Sequence, residues 1–361
     1  MIIPELPDYL TALGGADYKG LIISLFTLTA MLSRPFSGKL ADNIGRVPVM
    51  IFGAGVCFVC SLFYPVIASL SGFFLLRLVH GFSTGFAPTG ATAYLADIIP
   101  LQKRGEAMGI LGTAGSVGMA AGPALGGTIA NQFGLDAMFY CSSLLGLVSI
   151  IILIQTKETL PQKMKFSLGL LKVKREDIFE PLVLVPCLVM VLASFSYGAV
   201  FTVIPDFGQF VGIKNKGLLF TFLTVASLLV RLLAGKASDR YGRIEVLRVS
   251  TFTIAVSMVI IGMASTPQML IIGVTLYGFA QGATSPTLLA WAADLSDDRF
   301  KGRGIASLYI FMELGIGLGA ICSGWVYGNQ SGNFFITFLI SGLLSAIAFA
   351  YLIYLSVNRQ R

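Results

Sequence analysis

Three ionisable side chains lie inside long apolar stretches of the sequence: Arg77, His80 and Glu313. Placing a charged group in the middle of a bilayer costs about 3 kcal/mol on insertion scales, so each is a candidate functional group. Glu313 follows Gly304 by nine residues in an uncharged stretch, a depth of about 13 Å along a helix. A carboxyl group there could take up and release a proton; the alternative is a permanently protonated side chain with a structural hydrogen bond.

Arg77 and His80 are three residues apart, so they project from the same face of a helix. His80 is the only histidine in the chain. Together the two could form part of a proton or anion pathway. The alternatives are a structurally satisfied histidine and an arginine that extends towards the membrane surface.

A short polar segment between two apolar stretches occurs twice. Residues 34–46 and 231–243 share Arg, Gly, Lys, Asp, Gly and Arg at equivalent positions, 197 residues apart. The same offset relates Gly81 to Gly278, Asp97 to Asp294, Gly118 to Gly315 and Gly122 to Gly319. A constant offset of this size indicates two copies of a large unit. Because both copies run in the same sense, we expect parallel repeats related by an axis along the membrane normal.

Composition indicates a membrane protein. Of the 361 residues, 55% are hydrophobic and 12% are charged, and the mean hydropathy is +0.83, whereas a soluble domain averages about 25% charged residues. Eleven apolar stretches are long enough to cross a bilayer as helices. They cover roughly residues 20–37, 49–70, 72–96, 106–131, 135–155, 182–204, 217–235, 249–265, 268–293, 304–328 and 333–356. We therefore predict an all-α polytopic membrane protein with about eleven full spans.

The repeat also predicts a further span at the start. Residues 205–207 correspond, with a one-residue shift, to residues 7–9, but a full apolar span precedes only the later copy. We expect a first helix that is largely missing, either because translation starts upstream or because the protein has eleven spans. The predicted organisation is a transmembrane bundle over residues 1–156, a cytoplasmic linker over 157–180 and a second bundle over 181–361.

Basic residues predict the orientation. Nineteen of the 25 Lys and Arg residues lie in one set of loops and the C-terminal tail, and three lie in the opposite loops. Positively charged loops face the cytoplasm. We expect a multi-pass protein of the plasma membrane, a bacterial inner membrane, with a cytoplasmic C-terminus. The net charge of +7 then belongs to the membrane surface and does not indicate nucleic-acid binding.

The linker over residues 157–180 is the one break in composition, with several lysines among a few acidic residues. One interpretation is a solvated segment in contact with anionic lipids. The other is a short interfacial helix over residues 166–173.

Residues 109–127 are rich in glycine and predict close helix packing. Small residues recur on one face at a spacing of four, and Pro123 loosens the local hydrogen-bond ladder. The residues concerned are Gly118, Gly122, Pro123, Gly126 and Gly127. The alternative is the general packing found in any polytopic protein.

These motifs together resemble the major facilitator superfamily over essentially the whole chain. The family's loop pattern Gly-x-x-x-Asp-basic-x-Gly-Arg is matched by Gly38, Asp42, Gly45 and Arg46, with Asn43 at the basic position. The second copy matches it with Gly235, Asp239, Arg240, Gly242 and Arg243. Arg77 to Gly85 resembles the fourth-span motif, in which His80 replaces a more usual glutamine. Gly118 to Gly127 resembles a fifth-span motif found preferentially in exporters.

The resemblance implies two six-helix bundles around a central cavity that opens alternately to each side of the membrane. It further implies a conformational latch made by Asp42, Arg46 and Asp97. By pseudosymmetry Asp239, Arg243 and Asp294 form a second latch. Because Asn43 and Pro48 lower the positive charge of the first loop, we expect the second latch to matter comparably.

No Gly-x-x-x-x-Gly-Lys-Ser/Thr motif occurs in the sequence, so we expect a proton gradient rather than ATP to supply the energy. Catalytic residues do not cluster in the sequence and the five cysteines lie in apolar stretches, so we predict no enzyme, cofactor, metal site or disulfide.

The leading hypothesis is proton-coupled efflux of amphipathic small molecules or drugs by a monomer in contact with membrane lipids. A proton-coupled importer of a small metabolite, with Arg77 and Glu313 as a charged pair, is the first alternative. A non-transporting sensor or pseudotransporter is the second.

Overall fold

The protein is all-helical in the computed structural model, which describes residues 1–2, 5–15, 18, 21–174, 178–213, 217–328 and 330–359. Within these residues, eleven α-helices have 18 to 30 residues and coincide with the eleven apolar stretches. They are α2 (Leu21–Asn43), α3 (Arg46–Phe63), α4 (Leu70–Ile98), α5 (Arg104–Phe133), α6 (Leu135–Ile154), α7 (Leu184–Phe210), α8 (Gly217–Tyr241), α9 (Arg243–Gly262), α10 (Pro267–Leu295), α11 (Lys301–Tyr327) and α12 (Phe334–Arg359). A seven-residue helix, α1 (Leu6–Ala12), precedes them. The all-α prediction is confirmed.

Hydropathy separates these helices into two kinds. Among the described residues, six are individually long and apolar enough to cross a membrane, or seven if the bent pair Leu218–Arg231 and Leu233–Tyr241 is one span. The less apolar helices include α2, α4 and α5, which contain glycine, serine and threonine as well as arginine. Small and polar residues of this kind occur where helices contact one another rather than lipid.

Tight turns join α2 to α3 and α8 to α9, and each turn depends on a glycine. Gly45 has φ 122° and Gly242 has φ 94°, a region that other residues adopt only with strain. Each glycine directly precedes the arginine that begins the next helix, Arg46 or Arg243. The turns therefore fix the start of α3 and of α9, where the predicted latch residues lie.

The first compact unit comprises Met1–Ile98, Val117–Pro181 and Ser296–Tyr309. In it α2 and α3 both pack along α4, and α6 packs on α3. Its core contains Tyr64, Phe73 and Phe139, which are fully buried. The rings of Tyr64 and Phe139 stack with centroids 5.0 Å apart.

The second compact unit comprises Ile99–Ser116, Leu182–Leu295 and Ile310–Arg361. In it α8 and α9 both pack along α10, and α12 packs on α9, which repeats the arrangement of the first unit. Its core includes the stacked rings of Phe207 and Phe334, 4.1 Å apart. The first unit thus includes the beginning of α11, and the second unit includes the beginning of α5. The remainder of each of these helices is assigned to the other unit. The domain boundaries at residues 156 and 181 stay a prediction.

The linker is attached to the first unit by hydrogen bonds, although most of its described residues are exposed. The amide of Met164 donates to the carbonyl of Asn43 at 2.8 Å, and Lys39 Nζ donates to the carbonyl of Lys172 at 2.9 Å. Over residues 166–173, where a short interfacial helix was the alternative to a solvated segment, there is one 3-10 turn, Leu168–Leu171. Leu170 in this turn is buried in a cluster with Leu40, Val49 and Phe86.

Candidate functional site: two ion-pair clusters at helix junctions

The first cluster joins the three residues predicted for the first latch. Arg46 donates through Nη1 to Asp42 Oδ1 at 2.7 Å and through Nε to Asp97 Oδ2 at 3.0 Å. The exposed fractions of the Asp42 and Arg46 side chains are 2% and 1%. Such burial makes the pair sensitive to loss of either partner, since the remaining charge would be left uncompensated.

The second cluster has the same geometry 197 residues later. Arg243 donates through Nη1 to Asp239 Oδ1 at 2.5 Å and through Nε to Asp294 Oδ2 at 2.9 Å. Asp239 and Arg243 are 10% and 11% exposed, so this cluster is somewhat more open to solvent. Arg240, predicted as a further member, is exposed and lies over the ring of Tyr241 at 5.3 Å. It points away from the cluster because Asp239 and Arg240 are neighbours on one helix and project in different directions.

Each loop aspartate also binds the beginning of a helix from the other repeat. Asp42 accepts hydrogen bonds from the amides of Gly302 at 2.6 Å and Arg303 at 2.8 Å, at the start of α11. Asp239 accepts them from the amides of Gly105 at 2.8 Å and Glu106 at 2.9 Å, at the start of α5. The first amides of a helix have no partner within it, and the helix dipole favours an anion there. Each carboxylate therefore caps a helix that lies far away in the sequence.

Glycines allow these close approaches. A Cβ atom on Gly302 would lie 2.7 Å from the carbonyl oxygen of Gly38, and one on Gly105 would lie 2.6 Å from that of Gly235. Such a contact requires the backbones to separate. Two predicted glycines, Gly38 and Gly235, thus have the role of letting α2 and α8 lie against the capped helix.

A basic residue at the start of each capped helix completes each cluster. Lys301 Nζ lies 3.1 Å from Asp97 Oδ1, and Arg104 Nη1 lies 3.1 Å from Asp294 Oδ1. Sequence reasoning counted both residues only as positive loop charges. The signal was present, since Arg104 and Lys301 differ by the same 197 positions.

The linker adds contacts to the first cluster. Glu158 accepts hydrogen bonds from the amides of Arg46 and Val47, both at 3.0 Å, and thereby caps α3. The hydroxyl of Thr159 donates to Asp97 Oδ2 at 2.9 Å. Further along, Glu180 Oε2 accepts from Arg303 Nε at 2.8 Å. These contacts tie the linker to α3 and to the start of α11.

The two acidic groups of the first cluster lie beyond the predicted spans 20–37 and 72–96, and their pKa values move in opposite directions. Burial raises the pKa of Asp42 from 3.8 to about 6, although Arg46 opposes that change. For Asp97, burial acts to raise the pKa but Arg46, Thr159 and Lys301 outweigh it and hold the value below its ordinary range. Asp42 is therefore the acidic group of this cluster that titrates nearest to neutral pH.

An arginine lies eight residues before the loop aspartate of each cluster, about two helical turns, and here the repeats differ. Arg34 donates through Nη1 to Thr89 Oγ1 at 3.0 Å, and its guanidinium lies 4.3 Å from the ring centre of Tyr309. The corresponding Arg231 faces Gly112, the position equivalent to Tyr309. An arginine over an aromatic ring gains a cation–π attraction, so the first repeat has one contact that the second lacks.

Arg77 and His80 meet at a tyrosine that the sequence analysis did not single out. Tyr64 Oη lies 3.2 Å from Arg77 Nη1 and 3.2 Å from His80 Nδ1, and Arg77 Nε donates to the carbonyl of Ile22 at 2.9 Å. All three side chains are buried. If Arg77 donates to Tyr64, the tyrosine hydroxyl can donate to an unprotonated Nδ1 of His80. The group forms a hydrogen-bonded chain from α4 to the end of α3.

Glu313 lies in the second unit, and the part of α5 from Gly118 to Gly127 lies in the first. The Glu313 side chain is 7% exposed, within α11. Gly122 and Gly126 lie against the backbone of Met1, and Gly127 lies near Glu5. Gly118 has open space around it, so it does not take part in this packing. The side chain of Pro123 is outside the described residues.

The comparison with protein families decides the class. The family model for the Major Facilitator Superfamily matches residues 1–215 and 186–361, which together cover the whole chain. The chain belongs to the major facilitator superfamily. As a member it is a multi-pass membrane protein and a secondary transporter of small molecules, and not an enzyme.

Two relatives of this chain have names that refer to drug resistance. The multi-drug resistance efflux pump PmrA of Streptococcus pneumoniae is 28% identical over 354 residues, covering 91% of this chain and 85% of the relative. The multidrug resistance protein MdtG of Citrobacter koseri is 28% identical over 331 residues, covering 87% and 81%.

Solved structures show the same fold. The human organic anion transporter MFSD10 has a TM-score of 0.79 at 20% identity, covering 97% of this chain and 89% of that one. The proton:xylose symporter XylE has a TM-score of 0.80 at 14% identity, covering 98% and 90%. At this identity the likeness establishes the superfamily fold alone.

Proposed function

We propose that the protein exports amphipathic small molecules or drugs from a bacterial cell in exchange for protons. The observation that carries the proposal is the pair of crossed caps, Asp42 on the start of α11 and Asp239 on the start of α5. Each cap ties the loop of one repeat to a helix of the other repeat. Transport by alternating access requires such contacts to break and form again.

The two clusters act as conformational latches at the cytoplasmic face. With Arg46 and Arg243 in place, each aspartate has its charge balanced while it caps the helix. When the repeats separate on this side, the helix starts lose their caps and both aspartates enter water. The difference between these states is a small number of charged hydrogen bonds, each of about 1.5 to 3 kcal/mol, so substrate and protons are able to shift the equilibrium.

Export is preferred to import for two reasons. The relatives PmrA and MdtG, which span most of this chain, have names that refer to multidrug resistance. The stretch from Gly118 to Gly127 also resembles a motif found preferentially in exporters. A substrate of this class would be an amphipathic compound such as a lipophilic cation.

Glu313 and the Arg77–Tyr64–His80 chain are the proposed sites of proton coupling. Both place an ionisable group within a long helix and away from solvent. A membrane potential supplies about 2.3 kcal/mol for each charge per 100 mV, which suffices to drive a step that moves one proton.

The test uses inverted membrane vesicles that contain the chain and are energised to accumulate protons. We expect proton release when a lipophilic cation or a tetracycline-like compound is added, and none when a sugar is added. Glu313→Gln should remove the pH dependence of transport. No proton release with any of these compounds would contradict proton-coupled drug efflux and favour the importer. An unchanged pH profile in Glu313→Gln would assign that residue a structural role.

A further inference from the structure

A cleft of about 550 Å³ opens between α2 and α3 at the end where the linker lies. The two helices both pack along α4 but make little contact with each other, which leaves the cleft. Its walls are apolar and include four phenylalanine rings, Phe36, Phe52, Phe82 and Phe86. Phe166 and Leu171 of the linker form its other edge. None of these residues belongs to the two ion-pair clusters or to the Arg77–Tyr64–His80 chain.

The cleft is open at its side. Phe52 is 49% exposed and Phe166 is 57% exposed. Phe52 lies six residues after Arg46, about 9 Å along α3 from its first residue. The opening therefore faces the lipid of one leaflet, close to the level of the headgroups.

Exposed lysines adjoin, in sequence, the two linker residues that line the cleft. Between residues 162 and 174 the linker contains four lysines and no acidic residue. The hydrogen bonds from Met164 to Asn43 and from Lys39 to Lys172 hold this segment beside α2. Lys163 and Lys165 are exposed on either side of Met164, and Lys172 is exposed next to Leu171.

The second repeat contains an equivalent cleft with a different character. Its volume is about 620 Å³, and seven of the ten positions that line the first cleft recur in it 197 residues later. At the edge Glu245 replaces Pro48, and inside Ala237 and Ala283 replace Leu40 and Phe86. The second cleft thus has an acidic residue at its edge and fewer large side chains.

We propose that the first cleft binds an acyl chain of an anionic phospholipid, and that Lys163, Lys165 and Lys172 hold its headgroup. Contact between the chain and the phenylalanine rings fills a space that is too apolar for water. A lysine cluster next to a membrane attracts anionic headgroups and repels a lipophilic cation, so charge favours a lipid over a substrate of the proposed class. The bound lipid would fix the linker that also supplies Glu158 and Glu180 to the first latch.

The test places a single fluorescent reporter in each cleft. In a Trp291→Phe, Trp325→Phe background, Phe52→Trp puts tryptophan in the first cleft, and Val249→Trp puts it at the equivalent position of the second. Each protein is reconstituted in phosphatidylcholine vesicles with increasing fractions of dibrominated phosphatidylglycerol or dibrominated phosphatidylethanolamine. Bromine quenches tryptophan only on contact, so the signal reports which lipid occupies the cleft.

We expect dibrominated phosphatidylglycerol to quench Phe52→Trp at a lower fraction than dibrominated phosphatidylethanolamine does, whereas Val249→Trp shows no preference. Replacing Lys163, Lys165 and Lys172 by glutamine should lower the relative affinity by about fivefold for each lysine at low salt. Equal quenching by both lipids at Phe52→Trp would overturn the proposal, as would a preference that survives the lysine replacements. Quenching relieved by a lipophilic cation would assign the cleft to substrate instead.

A second measurement uses the unaltered chain, in case tryptophan perturbs the cleft. The protein is purified in detergent with equal amounts of phosphatidylglycerol and phosphatidylethanolamine, and retained lipid is counted by native mass spectrometry. Preferential retention of phosphatidylglycerol that is lost in the lysine variant supports the proposal. Retention that ignores headgroup charge contradicts it. Both measurements read lipid binding alone, so their outcome is independent of whether the protein exports drugs.

Discussion

The two latch clusters have the same bonding pattern but different surroundings. Both place an arginine between two aspartates, and both use a loop aspartate to cap a distant helix. The first is buried, receives Glu158 and Thr159 from the linker and has a neighbouring arginine under Tyr309. The second is more exposed and has Gly112 where the first has that tyrosine. The comparison indicates that the repeat keeps the ion-pair pattern while the first copy has additional contacts.

The largest expected effect comes from the glycines at the capped helix starts. Gly302→Leu and Gly105→Leu should each reduce transport to background, because a side chain there overlaps the backbone of Gly38 or Gly235. Transport rate and amount of protein in the membrane would be measured together. Gly118→Ala is the control, since its Cβ would meet open space. Normal transport in both leucine variants would show that the close approach is not needed.

The next largest effect is on stability, and it should differ between the two clusters because they differ in burial. Arg46→Gln should lower the free energy of unfolding by about 3 kcal/mol, since it leaves two aspartates without their buried partner. Arg243→Gln should have a smaller effect because Asp239 is 10% exposed and Asp42 only 2%. Thermal unfolding of the purified variants in detergent would provide the comparison. A larger effect for Arg243→Gln would contradict the order that burial predicts.

A smaller effect concerns pH and the first cluster alone. The pKa of Asp42 is raised by burial to about 6, so the latched state binds a proton more readily than a state in which Asp42 is in water. Lowering the pH from about 7 to about 5 should therefore favour the latched state, an advantage lost as the pH rises through about 6. Asp97 acts in the opposite sense. Its pKa is held below the ordinary value of 3.8, so the stability that its charged form contributes is lost only when the pH falls below 3.8.

Hydrogen exchange measures this pH effect directly. After correction for intrinsic exchange rates, protection of the Gly302 and Arg303 amides should be greater at about pH 5 than at about pH 7. The Gly105 and Glu106 amides, which Asp239 caps, provide the internal reference. Asp42→Asn should remove the dependence; equal dependence at both helix starts would argue against Asp42 as the titrating group.

The smallest effect tests the linker's contribution. Glu158→Gln removes the carboxylate charge that caps α3, which should cost about 1 kcal/mol. Glu245→Gln is the matched control in the first turn of α9, where the side chain is 52% exposed and pairs with Arg248. We expect the control to leave the melting temperature nearly unchanged. Equal losses would mean that the first cluster gains nothing from the linker.

The fold followed from the sequence because each helix has a local signal. The eleven apolar stretches correspond to eleven long helices among the residues that the structure describes, and the offset of 197 located both loop triads. Partners that are distant in sequence had no such signal. Glu158 lies 112 residues from Arg46, and Tyr64 brings Arg77 and His80 together only through the packing of α3 on α4. Periodicity reports which face of a helix is buried, not which side chain it meets.

The 197-residue repeat identifies more members of the two clusters than the loop motif alone does. Arg104 with Lys301 and Gly105 with Gly302 match at the same offset as the aspartates that they contact. Applying the offset to every charged residue and glycine would have identified both helix starts as part of the clusters. The linker could not be found in this way, because it occurs once.

The most direct test of the account is uptake of a lipophilic cation into energised inverted vesicles by Asp42→Asn, Asp239→Asn and the double variant, each normalised to the protein present in the membrane. We predict that each single variant is slower than the unaltered chain and that the double variant has no uptake above background, because neither cluster then contains the loop carboxylate whose contacts must form and break. Full uptake by the double variant, at equal amounts in the membrane, would contradict the assignment of the two clusters as the latches of a transporter.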